Sequence, residues 1–538
     1  MTSRPSETEV LKIHSFPSLT SHLRTSTVVP PPPPRTSLTD AQRRTPRSAQ
    51  EIESLRAAVL AQTEKSTLTC YVTESTSLQS PIRKLPVELI GEIFTMHCTR
   101  GTGNVVGEKS YCPALQLSQV CCFWREVMLS RTELWGNLEV RLEQMSKGSI
   151  ELLKMCLGNS KASSLKLRVT SGYWNASLDN NALSWEALLL LLQNSHRWFS
   201  ATLRLDYQLF LRASKKITDI LEDSGSVYPE SSPDHAPFAL LQHADVSWFD
   251  CRITSAYNER EPIRLFEGIP SLRSLTVPHY DDCFVFPLSH LETLNLTNVH
   301  RTPAPILSQT TNLKRLSIQN FAIRDPGVLS QPQISNITHL DIQVSSYFQS
   351  LTVKYLLDHL ELPYLESFVV SEPFHRYTDR RTWSQEAFLS LLKRSGCQLK
   401  NLGIIEILVS GEEVVEILGL CPELEQFTFF EWQVNSATRK VLDGLIMSSS
   451  AGSEGKGAGV APRLSRLAMR VDGSLVEDVA CVVESRASSV CRLEEVMLQG
   501  VDMVVEGPVD FGVIRANGTR VVLRHEPTLL RRVLNPTR

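Results

Sequence analysis

The chain has 538 residues, 55 Lys and Arg against 58 Asp and Glu, 42% hydrophobic residues and 21% charged ones. That length exceeds one ordinary core and implies two or more domains. A formal charge of −3 offers none of the overall basic excess that nucleic-acid binding uses, so no nucleic-acid partner is expected.

The twelve cysteines include no CxxC pair, which fits reduced, buried thiols and a cytoplasmic or nuclear setting. His97, Cys98, Cys112 and Cys121 lack the tight ligand pair that anchors zinc, so no metal and no cofactor are expected. The opening MTSRPSETEV has no signal-peptide core. The greasiest run, Leu188–Leu192, is far too short to span a bilayer, so no membrane partner is expected.

Residues 1–47 are rich in Ser, Thr, Pro and Arg, with prolines at 30–34, and read as a disordered tail. Residues 48–66 place Ile52, Leu55, Val59 and Leu60 at helical spacing, a short amphipathic helix. KLPVELIGEIF (84–94) then puts a proline at a helix start and spaces Leu89, Ile90, Ile93 and Phe94 along one side. A glycine-bearing stretch, Thr99–Tyr111, reads as a loop. In PALQLSQVCCFWREV, Leu117, Val120, Cys121, Trp124 and Val127 share a second helical face, and Leu134-Trp135 follow on a short turn. Three short helices in so few residues make a meagre core, so the unit either caps the next domain or carries a partner.

The order Leu85-Pro86-x-Glu88-Leu89-x-x-x-Ile93-Phe94, Leu117-x-x-Val120-Cys121-x-x-Trp124, Leu134-Trp135 resembles the F-box over residues 81–138. Pro81-Ile82-Arg83-Lys84-Leu85-Pro86-Val87-Glu88 is similar to the opening of F-boxes in the expanded families of mushroom-forming fungi. The Thr99–Tyr111 insertion is longer than in that pattern. The resemblance implies a surface of Leu85, Pro86, Leu89, Ile93, Leu117, Val120, Trp124 and Trp135 that docks a Skp-type adaptor, and through it a cullin.

From there the chain repeats an apolar-x-x-apolar-x-apolar frame, anchored at Leu272, Leu291, Leu313, Ile337, Leu365, Leu399, Leu424, Leu464 and Leu493, with fainter echoes upstream. Helical patterns separate the later copies, as in SQEAFLSLLKRSG and GEEVVEILGLCP. Strand and helix recurring this way predict an irregular α/β leucine-rich-repeat-like solenoid over residues 150–525. Anchor spacings run from 19 (Leu272 to Leu291) to 40 (Leu424 to Leu464). Tyr280, Val299 and Phe321 stand where regular repeats carry Asn or Cys, so no regular Asn ladder is expected. An ordinary α/β domain is the alternative.

The expected architecture is thus a disordered tail, a small all-α F-box of three short helices, and a solenoid. Strand residues facing away from its core would meet a protein target: Arg315, Gln319, His339, Asp341, Gln343, Phe430, Arg466 and Arg470 are the candidates. No catalytic residue is assigned. AGSEGKGAG (451–459) lacks the Ser/Thr of a phosphate loop, His279 beside Asp281-Asp282 reads as a turn, and His196-Arg197-Trp198 as capping and packing. The expected role is a non-catalytic receptor subunit of a Skp–cullin–F-box ubiquitin ligase. A non-ligase scaffold and a hydrolase or nucleotide-dependent enzyme remain as alternatives.

Overall fold

The computed structural model describes residues 38–79, 81–99, 101, 103–171, 182–227, 236–249, 261–278, 284–299, 303–322, 333–344, 351–372, 383–431, 436–447, 460–471, 473–487, 492–500 and 518–524. Residues 1–37 of the expected tail, the Asp281-Asp282 turn and the 451–459 loop lie outside them.

The chain divides into Met1–Pro86 and Val87–Arg538. In the first unit, helix α1 (Leu38–Gln79) is much longer than the 48–66 helix that the sequence suggests, and it takes in residues 38–47 of the expected tail. Its Ile52, Leu55, Val59 and Leu60 are all exposed.

The second unit opens with α2 (Val87–Thr99), β1 (Asn104–Val106), α3 (Pro113–Ser118), α4 (Cys122–Ser130) and β2 (Asn137–Arg141). Strand–helix units follow: α5 (Lys147–Asn159), β3 (Leu165–Thr170), α6 (Ala182–Gln193), β4 (Trp198–Asp206), α7 (Tyr207–Val227) and β5 (His243–Phe249). The middle is leaner, with β6 (Ser274–Pro278), β7 (Thr293–Thr297), α8 (Ala304–Leu307), β8 (Arg315–Phe321), β9 (Gln333–Ile334) and β10 (His339–Val344). Full helices then return in α9 (Leu351–Asp358), β11 (Leu360–Glu361), β12 (Ser367–Ser371), α10 (Gln385–Ser395), β13 (Asn401–Ile405), α11 (Gly411–Gly419) and β14 (Gln426–Phe430). The described chain ends with α12 (Ser436–Leu445), β15 (Arg466–Val471), α13 (Val476–Ala487), β16 (Glu495–Gly500) and β17 (Arg520–Arg524).

Among the described residues, fifteen strands form one sheet, each hydrogen-bonded in parallel to the next in chain order, with β9 and β11 paired separately. Sequential parallel pairing with intervening helices is a solenoid of α/β repeats. The frame explains it: its apolar residues are buried (Leu272, Leu275 and Val277 in one repeat, Leu399, Leu402 and Ile404 in another), while intervening positions turn away. Helices cover the buried side, as in the contact of Phe388 on α10 with Phe368 on β12, ring centroids 4.7 Å apart.

Two arginines stitch the repeats. Arg394 donates to the Leu357 and Leu360 carbonyls, and Arg486, fully buried, to those of Leu445, Ala461 and Val460. Each reaches the C-terminal end of the preceding helix, whose last carbonyls have no partner within the helix. Arg197 does the same for the turn after α5, bonding the Ser163 carbonyl and Ser160 Oγ, and Trp198 Nε1 donates to the Leu191 carbonyl. The capping role read for His196-Arg197-Trp198 is fulfilled by the last two.

The boundary between an 81–138 module and a solenoid starting at residue 150 is corrected. The Thr99–Tyr111 stretch is not merely a loop: it contains β1, whose residues 104–106 pair in register with 138–140 of β2, so the sheet starts inside the helical module. Asn104 makes the join. Its buried amide donates to the Leu134 and Asn137 carbonyls at 2.8 and 3.2 Å, and its Oδ1 accepts from Cys112 Sγ and the Ala114 N–H. Gly103 precedes it at φ +74, where a Cβ would stand 2.6 Å from the Asn137 amide nitrogen, so only glycine fits.

Candidate interaction surfaces

Helix α2 has two unlike sides. Ile90, Gly91, Phe94 and Cys98 are buried, and Phe94 meets Trp124 of α4 edge-on at 4.9 Å. Gly91 lets Arg131 lie against the helix, where the guanidinium pairs with Glu92 at 3.5 Å and Glu133 at 3.7 Å. The opposite side carries Leu89, Ile93 and Met96, which are 51%, 41% and 52% exposed. Their i, i+4, i+7 spacing puts them in one stripe. Val120 and Phe123, at and beside the start of α4, and Leu129 near its end are exposed too. Large apolar groups concentrated this way mark an interaction site better than scattered ones do.

The eight residues expected on this surface separate. Leu89, Ile93 and Val120 are exposed, while Leu117 and Trp124 are half-buried. Trp135 is a correction: it is 1% exposed, with Nε1 donating to the Met128 carbonyl at 2.9 Å, and it belongs to the interior because the sheet begins right behind it. Leu85 and Pro86 fall in the first unit, where the Leu85 N–H bonds the Ile82 carbonyl and Pro86 is exposed. The sequence reading did not assign Met96, Phe123 and Leu129 to it. Met96 could have been found by extending the stripe from Leu89 and Ile93 by one turn.

The second surface is the sheet face turned away from the helices. Strand register aligns its residues in rows, such as Thr293, Arg315, His339, Ser367, Asn401, Gln426, Arg466 and Glu495. Over β3 to β10 these positions remain open or half-open to solvent. From β12 to β15 the positions further along the strands close, while Asn401 and Gln426 stay half-open and Arg466 exposed, and Val369, Ile405, Phe430 and Ala468 form a buried apolar cluster flanked by Met497.

The expected target-facing residues divide accordingly. Arg315, Gln319 and Arg466 are exposed, and His339, Asp341 and Gln343 are half-buried. Phe430 and Arg470 are corrections. Phe430 is in the apolar cluster, and Arg470 is drawn inward by Glu406 and the Glu431 carbonyl, 2.8 and 3.0 Å from its guanidinium nitrogens. Asp341 Oδ2 accepts from Ser317 Oγ at 3.5 Å, while Oδ1 is buried without a hydrogen-bond partner. Burial outweighs the serine and lifts this carboxyl to about 7. Burial and neighbouring Arg315 push the His339 imidazole down.

The Asn positions hold a further finding. Val299 and Phe321 are buried core residues, as their identity demands, but Asn298 and Asn320 stand one place earlier at φ +53 and +51, with their side chains bonded to each other. A two-rung amide ladder exists, displaced by one residue from the regular position. Glu406 occupies the equivalent place after β13 at φ +56.

Among the described residues, no helix is long and apolar enough to cross a membrane, and no group of three His, Cys, Asp or Glu is placed to hold a metal. No family model and no curated protein matches the sequence. One similar solved structure is a Bacteroides fragilis protein from a structural genomics consortium. It is 13% identical, with a TM-score of 0.30 over 58% of this chain and 82% of that one.

Proposed function

We propose that this chain is the non-catalytic substrate-receptor subunit of a Skp–cullin–F-box type ubiquitin ligase. On this reading residues 81–138 are a divergent F-box fused to the first strands of the repeat array, and they dock a Skp-type adaptor that leads to a cullin. The array then selects a protein target, and ubiquitin transfer gains rate from proximity alone. The observation that supports the reading most is the open apolar stripe of Leu89, Ile93 and Met96, on the stretch that carries the F-box resemblance. The array's own residues do not seal it. Burying a side chain of this size contributes about 1.5–3 kcal/mol, and several together offset the cost of association.

The test is co-purification of a Skp-type adaptor with the full chain and with Leu89→Asp/Ile93→Asp. Capture by the unaltered chain and loss in the variant is expected. Equal capture by both removes this face from the reading. Capture without ubiquitin transfer in a reconstituted complex turns the protein into a scaffold.

A further inference from the structure

Two thiols meet where the helical module joins the array. Cys112 stands at the start of α3 and Cys156 lies on α5, the α-helix that follows β2, and their Sγ atoms are 4.0 Å apart. The two residues are 5% and 0% exposed and 44 positions apart in the sequence. Cys112 Sγ also accepts from the Leu115 N–H at 3.4 Å and donates to Asn104 Oδ1 at 3.2 Å.

The pair is asymmetric. The hydrogen bond from the Cys156 thiol, helped by the Leu115 amide, holds Cys112 below the ordinary thiol range although burial opposes it. That same bond, with burial, pushes Cys156 up. Cys98, which Cys112 also affects, is raised to about 11, chiefly by burial. Cys112 is thus the sulfur that ionises and attacks, and Cys156 is the protonated neighbour in contact with it. The two sulfurs are about 2 Å further apart than in a disulfide, a gap of the size that side-chain rotation spans.

We infer that Cys112 and Cys156 are a modification site, at which hydrogen peroxide converts the pair into a disulfide that ties the helical module to the array. The Cys112 sulfur attacks one peroxide oxygen, the O–O bond breaks, and Cys112 becomes a sulfenic acid as one water is released. Cys156 then attacks that sulfur, the S–O bond breaks, and its proton leaves with the second water. Two thiols and one peroxide thus give one disulfide and two waters. Peroxide is little larger than water and reaches a nearly buried sulfur that bulky thiols do not. The disulfide has no proton to give, so oxidation also removes the Cys112 bond to Asn104, the residue that joins β1 to β2. None of this depends on the receptor reading.

The folded full chain, kept dilute, is treated with hydrogen peroxide. Remaining thiols are then blocked with iodoacetamide in denaturant, and the peptides are read by mass spectrometry. A peptide linked through Cys112 and Cys156, two hydrogens lighter than the reduced pair, is expected at doses that leave Cys98 and Cys421 open to blocking. Linkage of Cys112 to Cys98 overturns the inference, as does a Cys112 sulfinic acid. So does a pair that is still blocked in full after the exposed Cys70, Cys122 and Cys481 have oxidised. That readout uses the unaltered chain, so it does not depend on a variant's folding. Cys156→Ser then decides which sulfur reacts first. Dimedone is expected to trap a sulfenic acid on Cys112 of this variant, and its absence from the folded variant overturns the assignment of Cys112 as the attacking sulfur.

Discussion

Arg470 reaches back across a whole strand to Glu406: its Nη2 lies 2.8 Å from Oε1, linking β15 to the end of β13 past β14. The two side chains are 12% and 9% exposed, and Arg470 Nη1 also serves the Glu431 carbonyl, just past the end of the strand between. One guanidinium thus fixes three repeats.

Removing one partner of a buried pair costs about 3–5 kcal/mol. Arg470→Met is expected to lower the unfolding free energy by that order. Arg470→Met/Glu406→Asn should recover part of the loss, since Asn removes the charge and tolerates the positive φ at this position. Denaturant titration followed by fluorescence measures both, and a neutral Arg470→Met disproves the clamp.

Adjacent residues of α2 should behave as opposites. Phe94 is buried against Trp124, so Phe94→Ala is expected to cost about 3–5 kcal/mol through the cavity it leaves. Ile93→Asp on the open side should leave stability within about 0.5 kcal/mol of the unaltered chain. Thermal denaturation of the two variants decides it. A large loss for Ile93→Asp means that the stripe is packed inside the chain.

How much of this was legible depended on the range of the signal. The repeat was readable because every frame residue obeys a local rule: Leu275, Leu294 and Leu316 are buried because alternation puts them on the inner side. Leu89 and Ile93 were readable as a stripe for the same reason. The short β1 was not, because Asn104-Val105-Val106 is set by a partner more than thirty residues away and by a buried Asn that looks like any loop residue. Trp135 carries the same lesson, since helical spacing cannot tell a docking residue from one that a distant strand covers. Phe430 and Arg470 follow the outward phase of their strands, yet Phe430 is buried and Arg470 is only 12% exposed. Only the change in the face from β12 onward distinguishes them from Arg315 and Gln319, and that change is a property of the assembled array.

Asp341 makes a pH prediction. Its carboxyl is raised from 3.8 to about 7, chiefly by burial, with only Ser317 opposing. Below pH 3.8 both folded and unfolded chains hold the proton, and the carboxyl costs nothing. As pH rises toward 7 the unfolded chain ionises first, so stability falls through this window and stays low above it. Asp341→Asn is expected to flatten the dependence and to add stability, on the order of a few kcal/mol, above about pH 7. Denaturation midpoints across that window test it, and identical profiles for the two chains refute it.

Cysteine labelling can footprint the proposed adaptor surface. Cys122, at the start of α4 beside exposed Phe123, is exposed, as are Cys70 on α1 and Cys481 on α13. Burial pushes the Cys98 thiol up to about 11 and Cys421 to about 12, which makes them poor nucleophiles. A maleimide should therefore modify Cys70, Cys122 and Cys481 before Cys98 and Cys421 in the free chain. With a Skp-type adaptor bound, Cys122 should be protected while Cys481 stays reactive, as read by peptide mass spectrometry. Unchanged labelling of Cys122 in a formed complex would move the interface elsewhere.

Arg486 allows the array's modularity to be measured. All three of its donor nitrogens serve backbone carbonyls, at 2.8–3.0 Å, on the helix and turn of the preceding repeat. Arg486→Met leaves these carbonyls without their donor, and about 1–3 kcal/mol per unsatisfied group is at stake. Lysine should not rescue it, because a single ammonium on a flexible stem cannot reproduce a planar fork aimed at three oxygens. In a solenoid the damage should be confined largely to the repeats that share the arginine. Hydrogen exchange of Arg486→Met is thus expected to speed up in α12 and α13, while α5 and α6, at the other end of the array, exchange as before. Uniform acceleration along the chain would mean that the repeats unfold as one cooperative block and that the arginine stabilises the whole of it.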